Sequence, residues 1–296
     1  MKNFNLKGSI VAIVTPFKAN GEIDADAFDQ LIDWHLISGT DGIVVCGTTG
    51  ETPTLSGEED AFLIERAVKR VDGRIPVIAG TGSNSTSECI KYTRKAEALG
   101  VDAVLVVGPY YNKPTEKGMY QHFATVAEAV EVPIILYNVP SRTGSAISVT
   151  NTIKLVNTYH NIVAIKEASG DLALFTELVA QRPVGFKIYS GDDFLAASAN
   201  VLGADGCISV IANVIPKEFK QLMSVSLEGD VQLLNQLFYK YRKLMDLMFI
   251  ESNPIPVKTA LAEMNKIEEV FRSPMCSMEE SNKELLLNEL RKLKII

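Results

Sequence analysis

Ile162-Val163-Ala164-Ile165-Lys166-Glu167-Ala168-Ser169-Gly170 carries the plan of the whole chain in nine residues. Four apolar residues run without apolar/polar alternation, a lysine ends the run, and small and polar residues follow at once. Such a run fits a strand covered on both faces, as in a parallel sheet flanked by helices. Seven other runs share the design: Ser9 to Phe17, Gly42 to Cys46, Pro76 to Gly80, Ala103 to Val107, Pro133 to Tyr137, Phe186 to Tyr189 and Gly206 to Val210. The eight starts lie about 20 to 34 residues apart, which leaves room between neighbours for one helix and two loops, as a βα unit requires. Two of the intervening segments have clear helical patterns. Asp24 to Ser38 sets Phe28, Leu31, Ile32 and Leu36 on one stripe, and Ser87 to Leu99 stops at Gly100.

Eight such units predict an α/β fold, a closed (β/α)8 TIM barrel. The competing arrangement is a doubly wound open sheet, but its phosphate fingerprint is missing: Gly80-Thr81-Gly82 continues as Ser83-Asn84-Ser85, without a third glycine. From about Pro216 the texture changes to long amphipathic stretches, Val231 to Phe249 and Met278 to Leu293, parted by Ser252-Asn253-Pro254-Ile255-Pro256. Those prolines deny a helix its amide donors, so a restart near Val257 is expected. The expected organisation is a catalytic barrel over residues 1–225 and a C-terminal helical region over 226–296.

Composition supports a folded protein and narrows its partners. Of 296 residues, 47% are hydrophobic and 22% charged, enough apolar material for a large core. Lys and Arg number 29 against 36 Asp and Glu, a net charge of -7, which opposes nucleic acid and anionic lipid. The terminal Arg291-Lys292-Leu293-Lys294 is a short basic cluster. Cys46, Cys89, Cys207 and Cys276 are far apart and form no Cys-x-x-Cys, so they read as reduced thiols in a reducing compartment. His35, His122 and His160 are equally dispersed, and no metal site is expected. Met1 to Lys7, with two lysines before the apolar Ser9 to Val14, superficially resembles a signal peptide, but Thr15-Pro16 cuts the stretch short and a buried strand is expected there. No apolar run approaches the ~18 residues of a membrane helix. A cytoplasmic, soluble protein is the expectation.

In a barrel of this kind the loops after the strands build the active site. Four strand ends are chemically loaded: Gly47-Thr48-Thr49-Gly50-Glu51, Gly108-Pro109-Tyr110-Tyr111-Asn112, Tyr137-Asn138-Val139-Pro140-Ser141-Arg142 and Lys166-Glu167-Ala168-Ser169-Gly170. Lys166 would bring an ammonium into an apolar barrel mouth, where desolvation disfavours the charged form and leaves an amine able to attack a carbonyl. A structural lysine reaching solvent or an acid is the alternative reading. Lys187 lies early in its run, so an outward structural role is expected. Tyr137 ends its own run and could relay protons to a lysine adduct, or be an ordinary hydrogen-bonded core tyrosine. Thr48 and Thr49, between glycines, offer hydroxyls and approachable amides for a carboxylate, unless they form a simple turn. Arg142 could clamp a second carboxylate bidentately or be a solvated surface cation. Asp192 and Asp193 follow the seventh run, where many barrels bind phosphate, and their charge opposes phosphorylated substrates and flavin phosphate.

These strand ends together resemble the dihydrodipicolinate synthase (4-hydroxy-tetrahydrodipicolinate synthase) branch of the pyruvate-dependent class I aldolase and N-acetylneuraminate lyase family. The match runs from Gly8 to about Lys258 through Val14-Thr15-Pro16-Phe17, Gly47-Thr48-Thr49-Gly50-Glu51, Gly80-Thr81-Gly82-Ser83-Asn84, Pro109-Tyr110-Tyr111-Asn112-Lys113-Pro114, Tyr137-Asn138-Val139-Pro140-Ser141-Arg142-Thr143-Gly144, Ile165-Lys166-Glu167-Ala168-Ser169-Gly170, Ser190-Gly191-Asp192-Asp193 and Asn253-Pro254-Ile255-Pro256-Val257-Lys258.

The resemblance implies condensation of pyruvate with L-aspartate 4-semialdehyde to 4-hydroxy-tetrahydrodipicolinate, on the diaminopimelate route to lysine, with no cofactor. It implies that Lys166 forms a Schiff base with pyruvate and that Tyr137 moves protons, linked through Thr48 to a Tyr111 that reaches in from a neighbouring subunit. Thr49 would hold the pyruvate carboxylate, the backbone around Gly191 and Ile208 would shape the pocket, and Arg142 would bind the semialdehyde carboxylate. A homotetramer built from two tight dimers is implied. A possible allosteric lysine site would fall at Asn84, Glu88 and Tyr110, with Gly57 and Asp60 where some lysine-sensitive members have histidines. Two rival readings stand beside this one. An N-acetylneuraminate or 2-keto-3-deoxy sugar acid lyase would use the same lysine, and a keto-acid-binding barrel without catalysis would use the same pocket.

Overall fold

Residues 4–296 are described by the computed structural model; Met1 to Asn3, the start of the expected barrel and of the stretch resembling a signal peptide, lie outside the described residues. Strand and helix alternate from the first element. The first half comprises β1 (Gly8–Ala12), α1 (Ala25–Ser38), β2 (Gly42–Val45), α2 (Gly57–Val71), β3 (Val77–Gly80), α3 (Thr86–Ala98), β4 (Ala103–Val107) and α4 (Glu116–Ala129). Then come β5 (Ile134–Asn138), the single turn α5 (Pro140–Thr143), α6 (Val149–Thr158), β6 (Ile162–Glu167), α7 (Leu172–Gln181), β7 (Lys187–Ser190), α8 (Asp193–Val201) and β8 (Gly206–Ser209). Four further helices follow: α9 (Pro216–Glu228), α10 (Val231–Leu247), α11 (Ile255–Glu263) and α12 (Glu280–Lys292).

The eight strands pair in chain order, all parallel, and β8 returns to β1, so the expected (β/α)8 barrel is the observed fold. Closure brings Gly206 opposite Gly8. A Cβ on Gly206 would lie 2.1 Å from the Gly8 carbonyl oxygen, and its φ is +142°, so only glycine lets the last strand meet the first. Helix starts follow local chemistry. Asp24 caps α1 through Ala27 N, and Ser56 and Glu59 form a reciprocal capping box on α2, each satisfying amides that the first turn leaves free.

Two apolar layers hold the barrel. The inner one includes Ile10, Ala12, Val44, Ile78, Leu105, Ile135, Tyr137, Ala164, Tyr189 and Ile208, and the outer one joins the opposite strand faces to the helices. Because both faces are buried, neither shows in the sequence as alternation. Between β5 and β6 the register shifts: Ile134 faces Ile162, but Ile135 faces Ala164, leaving Val163 as an extra residue. Beyond that bulge Tyr137 stands opposite Lys166.

Two expectations need correction. α11 begins at Ile255, two residues before the expected restart near Val257, with Pro254 as its N-cap in the break and Pro256 in its first turn, where the missing amide has no helical partner to lose. α9 runs to Glu228, where Gly229 ends it in the left-handed conformation. Lys187 does not turn outward: alternation places it on the face of Tyr189 at the amino end of the barrel, where its ammonium pairs with Asp205 at 3.2 Å. Its role is structural. Among the described residues no helix is long and apolar enough to cross a membrane.

Candidate active site

Lys166 sits on the same face of β6 as the inward-facing Ala164, as the two-residue period requires. Its side chain enters the carboxyl end of the barrel, where the residue is 6% exposed. Tyr137 is 7% exposed on the adjacent strand, and Lys166 Nζ lies 4.4 Å from the centre of its ring. Both line a cavity of about 460 Å³. Thr48, Thr49, Arg142 and Gly191 line the same cavity, so six of the expected residues converge there. Four more lining residues, Met245, Asp246, Phe249 and Asn253, come from the C-terminal region.

Gly191 is the cradle for the lysine. A Cβ there would stand 2.5 Å from the Ala168 Cβ and 2.8 and 3.1 Å from Lys166 Cε and Cγ. Glu167, next to Lys166 in sequence, points to the opposite face and accepts hydrogen bonds from Asn138 Nδ2 (2.7 Å) and Ser169 N (2.6 Å). Burial pushes its carboxyl above the usual range. Asp193 is likewise spent on structure: it accepts from Val210 N and Ile211 N at 3.1 and 2.8 Å, and burial raises it too. Asp192 keeps a place in the cavity wall while capping α8 through Phe194 N and Leu195 N.

The carboxylate-binding candidates meet through one residue the sequence reading did not single out for a role. Asn253 donates from Nδ2 to Thr49 Oγ1 at 3.0 Å, and its carbonyl accepts from Arg142 Nη2 at 3.3 Å. Its Oδ1 is buried without a hydrogen-bond partner among the described residues. Reading strand ends could not reveal it, because it belongs to the loop between α10 and α11. The signal present was the Asn-Pro-Ile-Pro stretch, which marks a helix break and a family motif but assigns Asn253 no role. Arg142 itself rides on α5, a turn that Pro140 opens and Gly144 closes.

Other expected residues lie elsewhere. Ile208 is wholly buried in the inner layer and does not line the cavity, whereas Val210 does. Tyr111 is 89% exposed, with a φ of +70°, and is outside the cavity lining. Asn84, Glu88 and Tyr110 are also outside it; Asn112 Nδ2 donates to the Asn84 carbonyl at 2.8 Å, and a hydrogen bond to Glu88 raises the Tyr92 hydroxyl pKa. Burial lowers His35 to about 3 and His122 to about 4, so both are neutral at pH 7. Among the described residues no group of three or more His, Cys, Asp or Glu side chains is placed to hold a metal ion.

Known proteins match this chain in sequence and in fold. The model of the dihydrodipicolinate synthetase family matches residues 5–293. A 4-hydroxy-tetrahydrodipicolinate synthase of Thermodesulfovibrio yellowstonii is 51% identical over 98% of this chain and 99% of its own length. The dihydrodipicolinate synthase of Aquifex aeolicus superposes with a TM-score of 0.96 at 48% identity, covering 98% of each chain. The chloride-inhibited enzyme of Acinetobacter baumannii, solved with pyruvate, also reaches 0.96, at 46% identity over 98% of this chain and 100% of its own. With the barrel and nearly the whole length in agreement, the chain belongs to the dihydrodipicolinate synthetase family.

Proposed function

We propose that this chain is a lyase that condenses pyruvate with L-aspartate 4-semialdehyde to 4-hydroxy-tetrahydrodipicolinate, in the diaminopimelate route to lysine. The observation that carries the reading is the buried pair of Lys166 and Tyr137 on neighbouring strands, 4.4 Å from Nζ to ring centre, in a cavity that also holds Thr49 and Arg142. Lys166 Nζ attacks the pyruvate ketone, and loss of water leaves an imine. Protonated, that imine draws electrons from the methyl carbon, which gives up a proton and becomes the enamine nucleophile. The enamine carbon then adds to the aldehyde of the second substrate, whose amino group closes the ring on the imine carbon and displaces the Lys166 amine, releasing the cyclic product. Tyr137 supplies and takes up the protons of these steps, with Thr48 as its link to solvent.

Thr49 and the amides around it hold the pyruvate carboxylate, and Arg142 holds that of the semialdehyde. Arg142 speaks for a charged second substrate over a polyhydroxylated sugar acid. Tyr111 completes the proton relay in a neighbouring copy of a cytoplasmic homotetramer; its exposed ring outside its own cavity supports that reading. Asn84, Glu88 and Tyr110 are the candidate residues for an allosteric lysine site, with Gly57 and Asp60 where some lysine-sensitive members of the family carry histidines.

Borohydride reduction in the presence of pyruvate should add a reduced pyruvyl group to Lys166, located by peptide mass. A Lys166→Ala protein with full synthase turnover refutes the reading. Turnover of N-acetylneuraminate above that of pyruvate with the semialdehyde would instead make the enzyme a sugar acid lyase.

A further inference from the structure

Two motifs end in charged residues to which the proposed reaction gives no role: Glu51 closes Gly47-Thr48-Thr49-Gly50-Glu51, and Lys258 closes Asn253-Pro254-Ile255-Pro256-Val257-Lys258. The fold brings them together. Lys258 is 0% exposed and Glu51 3%, and Lys258 Nζ donates to Glu51 Oε1 at 2.5 Å. The ammonium also lies 4.3 Å from the centre of the Phe17 ring and 5.1 Å from that of Phe271. Glu51 Oε2 accepts from the backbone amide of Arg272 at 3.1 Å. Both carboxylate oxygens are therefore held by the C-terminal region.

A buried pair of this kind is a poor source of stability, because taking two charges out of water costs about what their attraction returns. What the geometry does explain is position. Glu51 lies two residues after Thr49 in the left-handed conformation, with a φ of +56°, which a non-glycine residue keeps only when its surroundings hold it there. The same loop is tied at Gly50, whose carbonyl accepts from Thr15 Oγ1 at 2.7 Å, and at Thr49, which Asn253 reaches at 3.0 Å. Residues 253–258 thus touch Thr49 through Asn253 Nδ2, Arg142 through the Asn253 carbonyl and Glu51 through Lys258.

We propose that the Lys258–Glu51 ion pair is a positioning element of the substrate pocket, locking residues 253–258 against the Thr48–Thr49 loop so that Thr49 and Arg142 keep the spacing needed by two carboxylates. The proposal rests on the roles given to Thr49 and Arg142 above. It makes the C-terminal helical region one wall of the active site, although Lys258 and Glu51 never touch substrate.

The test compares the native enzyme, Lys258→Met, the double variant Glu51→Gln/Lys258→Met and a control, Lys283→Met. The single change leaves a carboxylate buried without its counter-ion; if it does not fold, the double variant still decides, since it removes both charges and keeps the volume. Lys283 pairs with Glu269 and Glu263 at 2.7 and 3.0 Å in the same region, away from the loop. The double variant is expected to trap pyruvate on Lys166 at saturation while its KM for pyruvate rises about tenfold or more. The control should shift the melting temperature and leave KM unchanged. A folded double variant with native KM values for both substrates overturns the proposal and leaves the proposed reaction standing. Failure to trap pyruvate in the native enzyme overturns the reaction itself, and the proposal with it.

Discussion

Gly191→Ala tests whether the catalytic amine is held by shape. The added Cβ would stand 2.8 Å from Lys166 Cε and 2.5 Å from the Ala168 Cβ, where ordinary contact begins near 3.4 Å. Relief needs a retreat of about 0.6 Å by the lysine and about 0.9 Å by the alanine, whose Cβ moves only with its backbone. Overpacking on this scale costs about 1–3 kcal/mol, and a displacement approaching 1 Å at a reacting atom costs about a hundredfold in rate. Stopped-flow or quenched borohydride trapping with pyruvate reads the amine directly, without the second substrate. The rate constant for adduct formation should fall by about ten- to a hundredfold, at 1.36 kcal/mol per factor of ten, while the protein stays folded. Native trapping kinetics in a folded Gly191→Ala enzyme would mean that Lys166 is free to move, and that its place depends on something other than this cradle.

Tyr137→Phe removes only the hydroxyl, and kcat should fall by about 10²–10⁴-fold with the melting temperature little changed. Arg142→Ala should raise KM for the semialdehyde by about tenfold or more, as loss of a charge-assisted contact does, and leave pyruvate trapping intact; an equal rise in both KM values refutes the assignment. Cys46, Cys89 and Cys207 are buried and Cys276 is exposed; burial pushes the Cys89 thiol up to about 11 and the Cys46 and Cys207 thiols well above their usual value. A disulfide reagent should therefore modify one thiol in the native protein and four after denaturation. Burial raises Asp60 from 3.8 to about 6, so its ionisation works against the fold, with the cost absent below about pH 4 and complete above about pH 6, at about 2–3 kcal/mol. Asp60→Asn should accordingly stabilise the protein at pH 8 and not at pH 4 in urea melts.

The barrel was legible because apolar runs and loop residues repeat with the spacing of a βα unit, and β4 spans Ala103–Val107 as its run did. What the sequence hid was direction. Since strands covered on both faces lack alternation, nothing marked Ile208 as a residue of the buried inner layer beneath the cavity that Val210 lines, or Lys187 as facing inward at the far end. The Lys166 and Tyr137 strand ends stood out because a polar group closing an apolar run is chemically conspicuous. The role of Asn253 was hidden for the opposite reason: its motif reads as a proline-rich chain break, and its contact with Thr49 spans 204 residues.

The extra residue at Val163 makes the meeting of Lys166 and Tyr137 a matter of counting. Upstream of it the two strands run in one phase; downstream they run in another, and only the second brings amine and phenol side by side. Were Val163 paired in plain register against Ile135 instead, Ile165 would stand opposite Tyr137 and Lys166 opposite Asn138, turning the lysine toward the helices, because each step along a strand reverses the side-chain direction. Chemistry in this barrel therefore depends on an irregularity that an idealised version of the same fold would smooth away.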